Sequence, residues 1–190
     1  MDEAYIDFCD ASMSALNILH TFDNLVVLQT MSKAFGLAGI RLGYAISGNS
    51  DLIQLMNNVK APYNINQLTS DLALKTLTAD HTFRLKNELL PMILEQRTKV
   101  MEALESLEFV TQVFPSDANF ILFRVKHSAH EIYKRMADEG GVVSRYRGNE
   151  LHCKECIRVT VGTPEENQAF LSQLALVWNK VNDHHKSKLS

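Results

Sequence analysis

Cysteine is scarce: Cys9, Cys153 and Cys156 are all that 190 residues contain. An odd, scattered set cannot form a disulfide framework, so the fold is expected to rest on a packed core and the chain to work in a reducing compartment, the cytoplasm. Positive charge is not in excess either. The 19 Lys and Arg against 22 Asp and Glu leave a net charge of −3, with no basic block to neutralise phosphates, which argues against a nucleic-acid partner. No apolar run approaches the roughly 18 residues of a membrane span, and an acidic opening of Met1-Asp2-Glu3 does not fit a signal peptide. Repeats and low-complexity stretches are missing as well. What is present is an apolar content of 46%, enough to bury a core and to exclude a disordered chain.

The hydrophobic period changes along the chain. Leu25–Leu28 and Leu42–Ser47 read as short buried strands, separated by an irregular, glycine-bearing stretch from Met31 to Arg41. Asn49 and Ser50 offer capping oxygens to a helix carrying Leu52, Leu55, Met56 and Val59, which Pro62 stops. A helical pattern resumes at Asn66, and a longer one runs over about 81–107, with a kink or break expected at Pro91. Phe109–Phe114, Asn119–Val125, Val142–Arg147 and Cys156–Val161 read as strands, with a helix over His127–Glu139 ended by Gly140-Gly141. Thr163, Pro164 and Glu166 form a capping-box signature for a last helix through Trp178, after which 182–190 is expected to be a polar, frayed tail. The expected class is therefore α/β over residues 1–62, with strands of a mainly parallel sheet, followed by a smaller α+β domain over 63–181.

Chemistry concentrates around Lys33. Met31, Ala34, Phe35 and Leu37 surround it with apolar side chains, and an amine stripped of water favours its neutral, nucleophilic form, as Schiff-base chemistry requires. Thr30, Ser32 and Arg41 add hydroxyl and guanidinium donors suited to a phosphate. A carbonyl cofactor bearing a phosphate would need both functions together, and pyridoxal phosphate is such a cofactor. In the last third, Arg158 lies inside a strand, an expensive place for a charge without a partner. It is either half of an internal ion pair or an anion-binding group.

Five segments carry a resemblance: Asp2-Glu3-Ala4-Tyr5, the run from Thr30 to Tyr44, Pro62-Tyr63-Asn64, Ser116–Phe120 and Ile157–Gly162. Together they resemble the fold-type I pyridoxal-phosphate aminotransferases over residues 1 to about 178. The resemblance implies that Lys33 is the catalytic lysine that binds pyridoxal 5'-phosphate covalently and moves a proton at the substrate Cα. It implies that Asp2 pairs with the ring nitrogen, that Tyr5 donates to the phenolic oxygen, and that Thr30, Ser32 and Arg41 hold the phosphate. Arg145 and Arg158 match positions that bind the substrate's anionic groups, whereas Arg124 and Arg147 match none. Tyr63-Asn64 is expected to shape the site or the domain junction. The implied reaction moves an amino group from a phosphorylated amine of the histidinol-phosphate type to 2-oxoglutarate, in a homodimer. The family's subunit is about twice this length, so the chain is expected to be a C-terminal half, binding cofactor poorly and inactive alone.

Other readings compete. Another pyridoxal-phosphate aminotransferase or a phospho-amino-acid decarboxylase would use the same residues, and a non-catalytic binding protein could descend from such an enzyme. Cys153-x-x-Cys156 is half of a zinc site with no second pair, so no metal is expected. The glycines from Gly36 to Gly43 fit neither phosphate-loop pattern.

Overall fold

The computed structural model describes residues 1–189; the side chains at 80–82, 85 and 184–189 lie outside that description. Two compact units emerge, Met1–Leu90 and Pro91–Ser190.

The first unit is organised around β1 (Val27–Thr30), which pairs antiparallel with β2 (Gly43–Ile46), Val27 standing opposite Ile46. On its other side β1 takes a parallel neighbour: Leu28 N–H donates to the Met1 carbonyl at 2.9 Å, and Glu3 N–H donates to the Leu28 carbonyl at 2.8 Å. The expected mainly parallel strands thus appear as one parallel and one antiparallel pairing. The reason lies in the connection, because Met31 N–H donates to the Leu42 carbonyl at 3.1 Å. That bond folds the intervening segment straight back, whereas a parallel pair needs a crossover. Helix α1 (Ser50–Val59) starts where Asn49 accepts from the Asp51 and Leu52 amides, and α2 (Gln67–Thr78) where Asn66 accepts from that of Thr69. Each cap satisfies donors that a helix start leaves unpaired. Val27 and Met31 are fully buried, with Phe8, Ala15 and Ala73 nearby in exposure.

Of the kink or break expected at Pro91, the break does not occur: helix α3 (Asp80–Glu105) runs on through it, since a proline removes one amide bond and the long helix retains the rest.

In the second unit β3 (Val110–Val113), β4 (Phe120–Val125), β5 (Arg145–Tyr146) and β6 (Cys156–Thr160) form an antiparallel sheet in the order β3-β4-β6-β5. Alternation along β4 and β6 sends Ile121, Phe123, Val125, Ile157 and Val159 to one face, where they are buried. That face packs in one cluster with residues of α4 (Ala129–Gly140) and α5 (Pro164–Leu189), among them Ile132, Met136, Phe170, Leu174 and Trp178. Phe109 stacks on Trp178 with ring centroids 4.6 Å apart. The strand expected over Val142–Arg147 shrinks to two residues. Gly141, at φ 64, caps α4, and Val142 N–H is taken by the Met136 carbonyl at 2.9 Å, so the start of the segment belongs to the cap. At α5, Thr163 N–H donates to Glu166 Oε2 at 2.8 Å and Glu166 N–H donates to Thr163 Oγ1 at 3.2 Å, a reciprocal capping box. The helix then extends to Leu189 instead of fraying after residue 182; no Pro or Gly interrupts that stretch. Ser190, the end of the expected tail, lies outside the described residues. Among the described residues no helix is long and apolar enough to cross a membrane.

Candidate active-site residues

In the first unit, the end of β1 and the turn after it present Thr30, Ser32 and Lys33 in succession. Thr30 Oγ1 lies 3.0 Å from Ser32 Oγ and accepts from Ser32 N–H at 3.2 Å, so the two hydroxyls form one donor group. Lys33 Nζ stands over the Tyr5 ring, 5.0 Å from its centroid, and no carboxylate among the described residues pairs with it. Lys33 is half-buried, less enclosed than its apolar neighbours suggest, because Met31 takes the core position and the turn carries Lys33 outward.

Tyr5 and Asp2 reach this strand through the parallel pairing at Leu28. Asp2 is exposed, its Oδ1 accepting from Ala4 N–H at 3.0 Å. Between them Glu3 is buried and accepts from Ala15 N–H at 2.6 Å, Ser14 Oγ at 2.9 Å and Gln29 Nε2 at 3.0 Å. Burial pushes its carboxyl upward, yet the bonds from Gln29, Ala15 and Ser14 outweigh that and hold it below the usual carboxylate range. Glu3 thus pins the segment that carries Asp2 and Tyr5. Arg41 sits at φ 55, exposed, with its guanidinium donating to the Ala38 carbonyl at 3.1 Å. Tyr63 is almost fully exposed, also at positive φ.

In the second unit β5 and β6 set Arg145 directly opposite Arg158. Like charges so placed repel, and no carboxylate among the described residues bridges them. The internal ion pair that sequence left open for Arg158 is therefore not made. Its Nε is buried and has no hydrogen-bond partner among the described residues. The two arginines, with Val143, Ser144 and Thr160, line a cavity of about 140 Å³, and the arrangement suits an oxyanion. Sequence reasoning gave no role to Phe120, whose ring lies 4.9 Å from the Arg158 guanidinium carbon. Counting alternate residues along paired strands could have placed it on that face.

The other arginines are occupied. Arg147 pairs with Glu150 at 2.5 Å, and Arg124 donates to the Lys154 and His152 carbonyls and to Gln112 at 2.9 to 3.1 Å. Cys156 is buried, and desolvation pushes its thiol up. Among the described residues no cluster of three metal-ligating side chains occurs.

Residues 1–174 match the family model described as aminotransferase class I and II. The chain belongs to this family. It is 42% identical over 173 residues to the histidinol-phosphate aminotransferase of Saccharomyces cerevisiae, covering 88% of this chain and 44% of that protein. For the enzyme of the same name from Parabacteroides distasonis the identity is 44% over 175 residues, covering 92% and 48%. The chain spans about half the length of the curated relatives it matches. Among solved structures, the histidinol-phosphate aminotransferase of Clostridium acetobutylicum superposes with a TM-score of 0.84 at 28% identity, over 94% of this chain and 53% of that one. The L-threonine-O-3-phosphate decarboxylase of Porphyromonas gingivalis gives 0.83 at 26%, over 94% and 54%. The mixed α/β class expected from sequence is the class of these relatives.

Proposed function

We propose that the whole protein to which this chain corresponds is a pyridoxal-phosphate-dependent aminotransferase acting on histidinol phosphate and 2-oxoglutarate. The observation that carries the substrate assignment is the facing pair Arg145 and Arg158, two guanidiniums that no carboxylate among the described residues pairs. The names of the relatives support the same substrate.

The residues of the first unit fit pyridoxal phosphate in donor chemistry. Adjacent hydroxyls on Thr30 and Ser32 and the exposed guanidinium of Arg41 would hold the phosphate. Tyr5 would donate to the phenolic oxygen, and Asp2 would keep the ring nitrogen protonated, as a neighbouring carboxylate favours the charged form. When bound, the cofactor supplies a carbonyl carbon for amines and an electron-withdrawing ring. Lys33, with no carboxylate among the described residues to hold its amine and the Tyr5 ring beneath it, would take the proton from the Cα of the amino donor and deliver one to the Cα of the 2-oxo acid as that acid becomes the amino product. Arg145 and Arg158 orient the substrate by its anionic groups. The cofactor residues fall in segment 1–62 and the substrate arginines in segment 63–181, which we take as parts of separate domains in a cytoplasmic homodimer. Because Asp2 and Arg41 are exposed and Lys33 only half-buried, the 190-residue polypeptide by itself would bind cofactor weakly and turn over little substrate.

Borohydride reduction of the whole, cofactor-loaded protein, followed by peptide mass analysis, should find the pyridoxyl group on Lys33; labelling of any other lysine refutes the assignment. A phospho-amino-acid decarboxylase is the second reading, favoured by the Porphyromonas gingivalis neighbour. Release of carbon dioxide from a phosphorylated amino acid, without glutamate formation from 2-oxoglutarate, would select it.

A further inference from the structure

Two arginines on the face of the second sheet opposite its buried cluster are held in opposite ways. Arg124 gives its donors to the Lys154 and His152 carbonyls and to Gln112, and its guanidinium also sits 5.3 Å from the Phe114 ring centre. Three of its five N–H donors are thus spent inside the protein. Arg158 donates to no described acceptor, and its guanidinium carbon lies 4.9 Å from the Phe120 ring centre. An aromatic face attracts a cation without consuming any of its N–H groups. A ring is thus a support that fixes the plane of a guanidinium and leaves every donor available.

Phe120 is itself fixed in place. It opens β4 opposite Thr160, two residues beyond Arg158 along the paired strand, so ring and guanidinium share a face on a diagonal. Ser116 Oγ donates to the Phe120 carbonyl at 2.5 Å and accepts from Ala118 N–H at 3.2 Å. Arg97 donates to the Ala118 carbonyl at 3.0 Å, and Val161 N–H donates to that of Asn119 at 2.9 Å. The turn from Ser116 to Phe120, which the site residues named above leave without a function, is tied down at three consecutive carbonyls.

We propose that Phe120 is a positioning residue: its ring holds the Arg158 guanidinium flat, with its N–H donors left free for a phosphate-type oxyanion in the cavity shared with Arg145. The inference rests on the reading of Arg158 as an anion-binding group, and the test separates the two. Inorganic phosphate is titrated into the 190-residue chain while the Arg158 Nε–H resonance is followed by NMR, for the unaltered chain, Arg158→Ala, Phe120→Leu and Phe120→Tyr, with amide fingerprints and melting curves for each. The expected result is that Phe120→Leu weakens phosphate binding about fivefold, the scale of a partly desolvated cation–π contact. Its Arg158 Nε–H should also exchange faster before phosphate is added, while Phe120→Tyr stays within about twofold of the unaltered chain. Should Phe120→Leu fail to fold, pentafluorophenylalanine at position 120 keeps the shape of the ring and reverses its quadrupole, and the same loss is expected. Phosphate binding unchanged by either replacement, while Arg158→Ala abolishes it, overturns the role of Phe120 and leaves the anion site standing. Binding unchanged by Arg158→Ala overturns the anion site itself.

Discussion

The two units of the chain differ in how completely each closes its own interior. In Pro91–Ser190 the buried apolar residues form one contiguous cluster, from Val100 and Leu104 through the sheet to Trp178 and Val181. In Met1–Leu90 only a few are buried, and Leu55, Val59, Leu68 and Leu74 stay mostly exposed. The second unit therefore carries its own hydrophobic driving force, whereas the first draws more on polar ties such as those of Glu3. A segment can present reactive groups on a strand end and turn without owning the core beneath them.

Substitutions can break this contrast. Phe123→Ala should cost the most, about 3–5 kcal/mol by chemical denaturation, because it opens a cavity among fully buried neighbours. Leu68, more than four-fifths exposed, should lose no more than about 0.5 kcal/mol on the same change; a comparable loss at both positions would erase the difference between the units. Next in size is Glu3→Gln, for which roughly 2 kcal/mol is expected, on the scale of hydrogen bonds to a charged group. The folded carboxyl titrates below its ordinary value, so its contribution is complete above the unfolded pKa of about 4.3 and disappears as pH falls through the folded one. Melting curves between pH 3 and 7 should show this acid limb in the unaltered chain and a flatter one in Glu3→Gln. Thr163→Ala should cost less than either Phe123→Ala or Glu3→Gln, about 1 kcal/mol, the usual scale for an N-cap. A much larger loss would mean that α5 depends on its cap more than on Phe170, Leu174 and Val177.

Sequence revealed what is locally encoded. Asn49, Asn66 and Thr163 mark the helix starts because one side-chain oxygen and the next few amides suffice to make a cap. The Thr30–Lys33 group was equally legible, lying within four residues. Strand direction was not: the apolar runs around Val27 and Ala45 look alike in either orientation, and the fold-back between Met31 and Leu42 decides between them. Arg145 and Arg158 were both named, but their facing placement depends on a register set by tertiary pairing. The same register hides Phe120, which is distant from Arg158 in sequence and diagonal to it in the sheet.

Leu28 has a consequence for exchange kinetics. Its amide and its carbonyl make the backbone hydrogen bonds that join the Met1–Glu3 segment to β1. The Lys33 turn can keep its own hydrogen bonds whether or not Asp2 and Tyr5 are present beside it. The Leu28 amide proton therefore works as a clock for their association: each time the segment lifts away, that proton meets water, and its deuteration rate counts the openings.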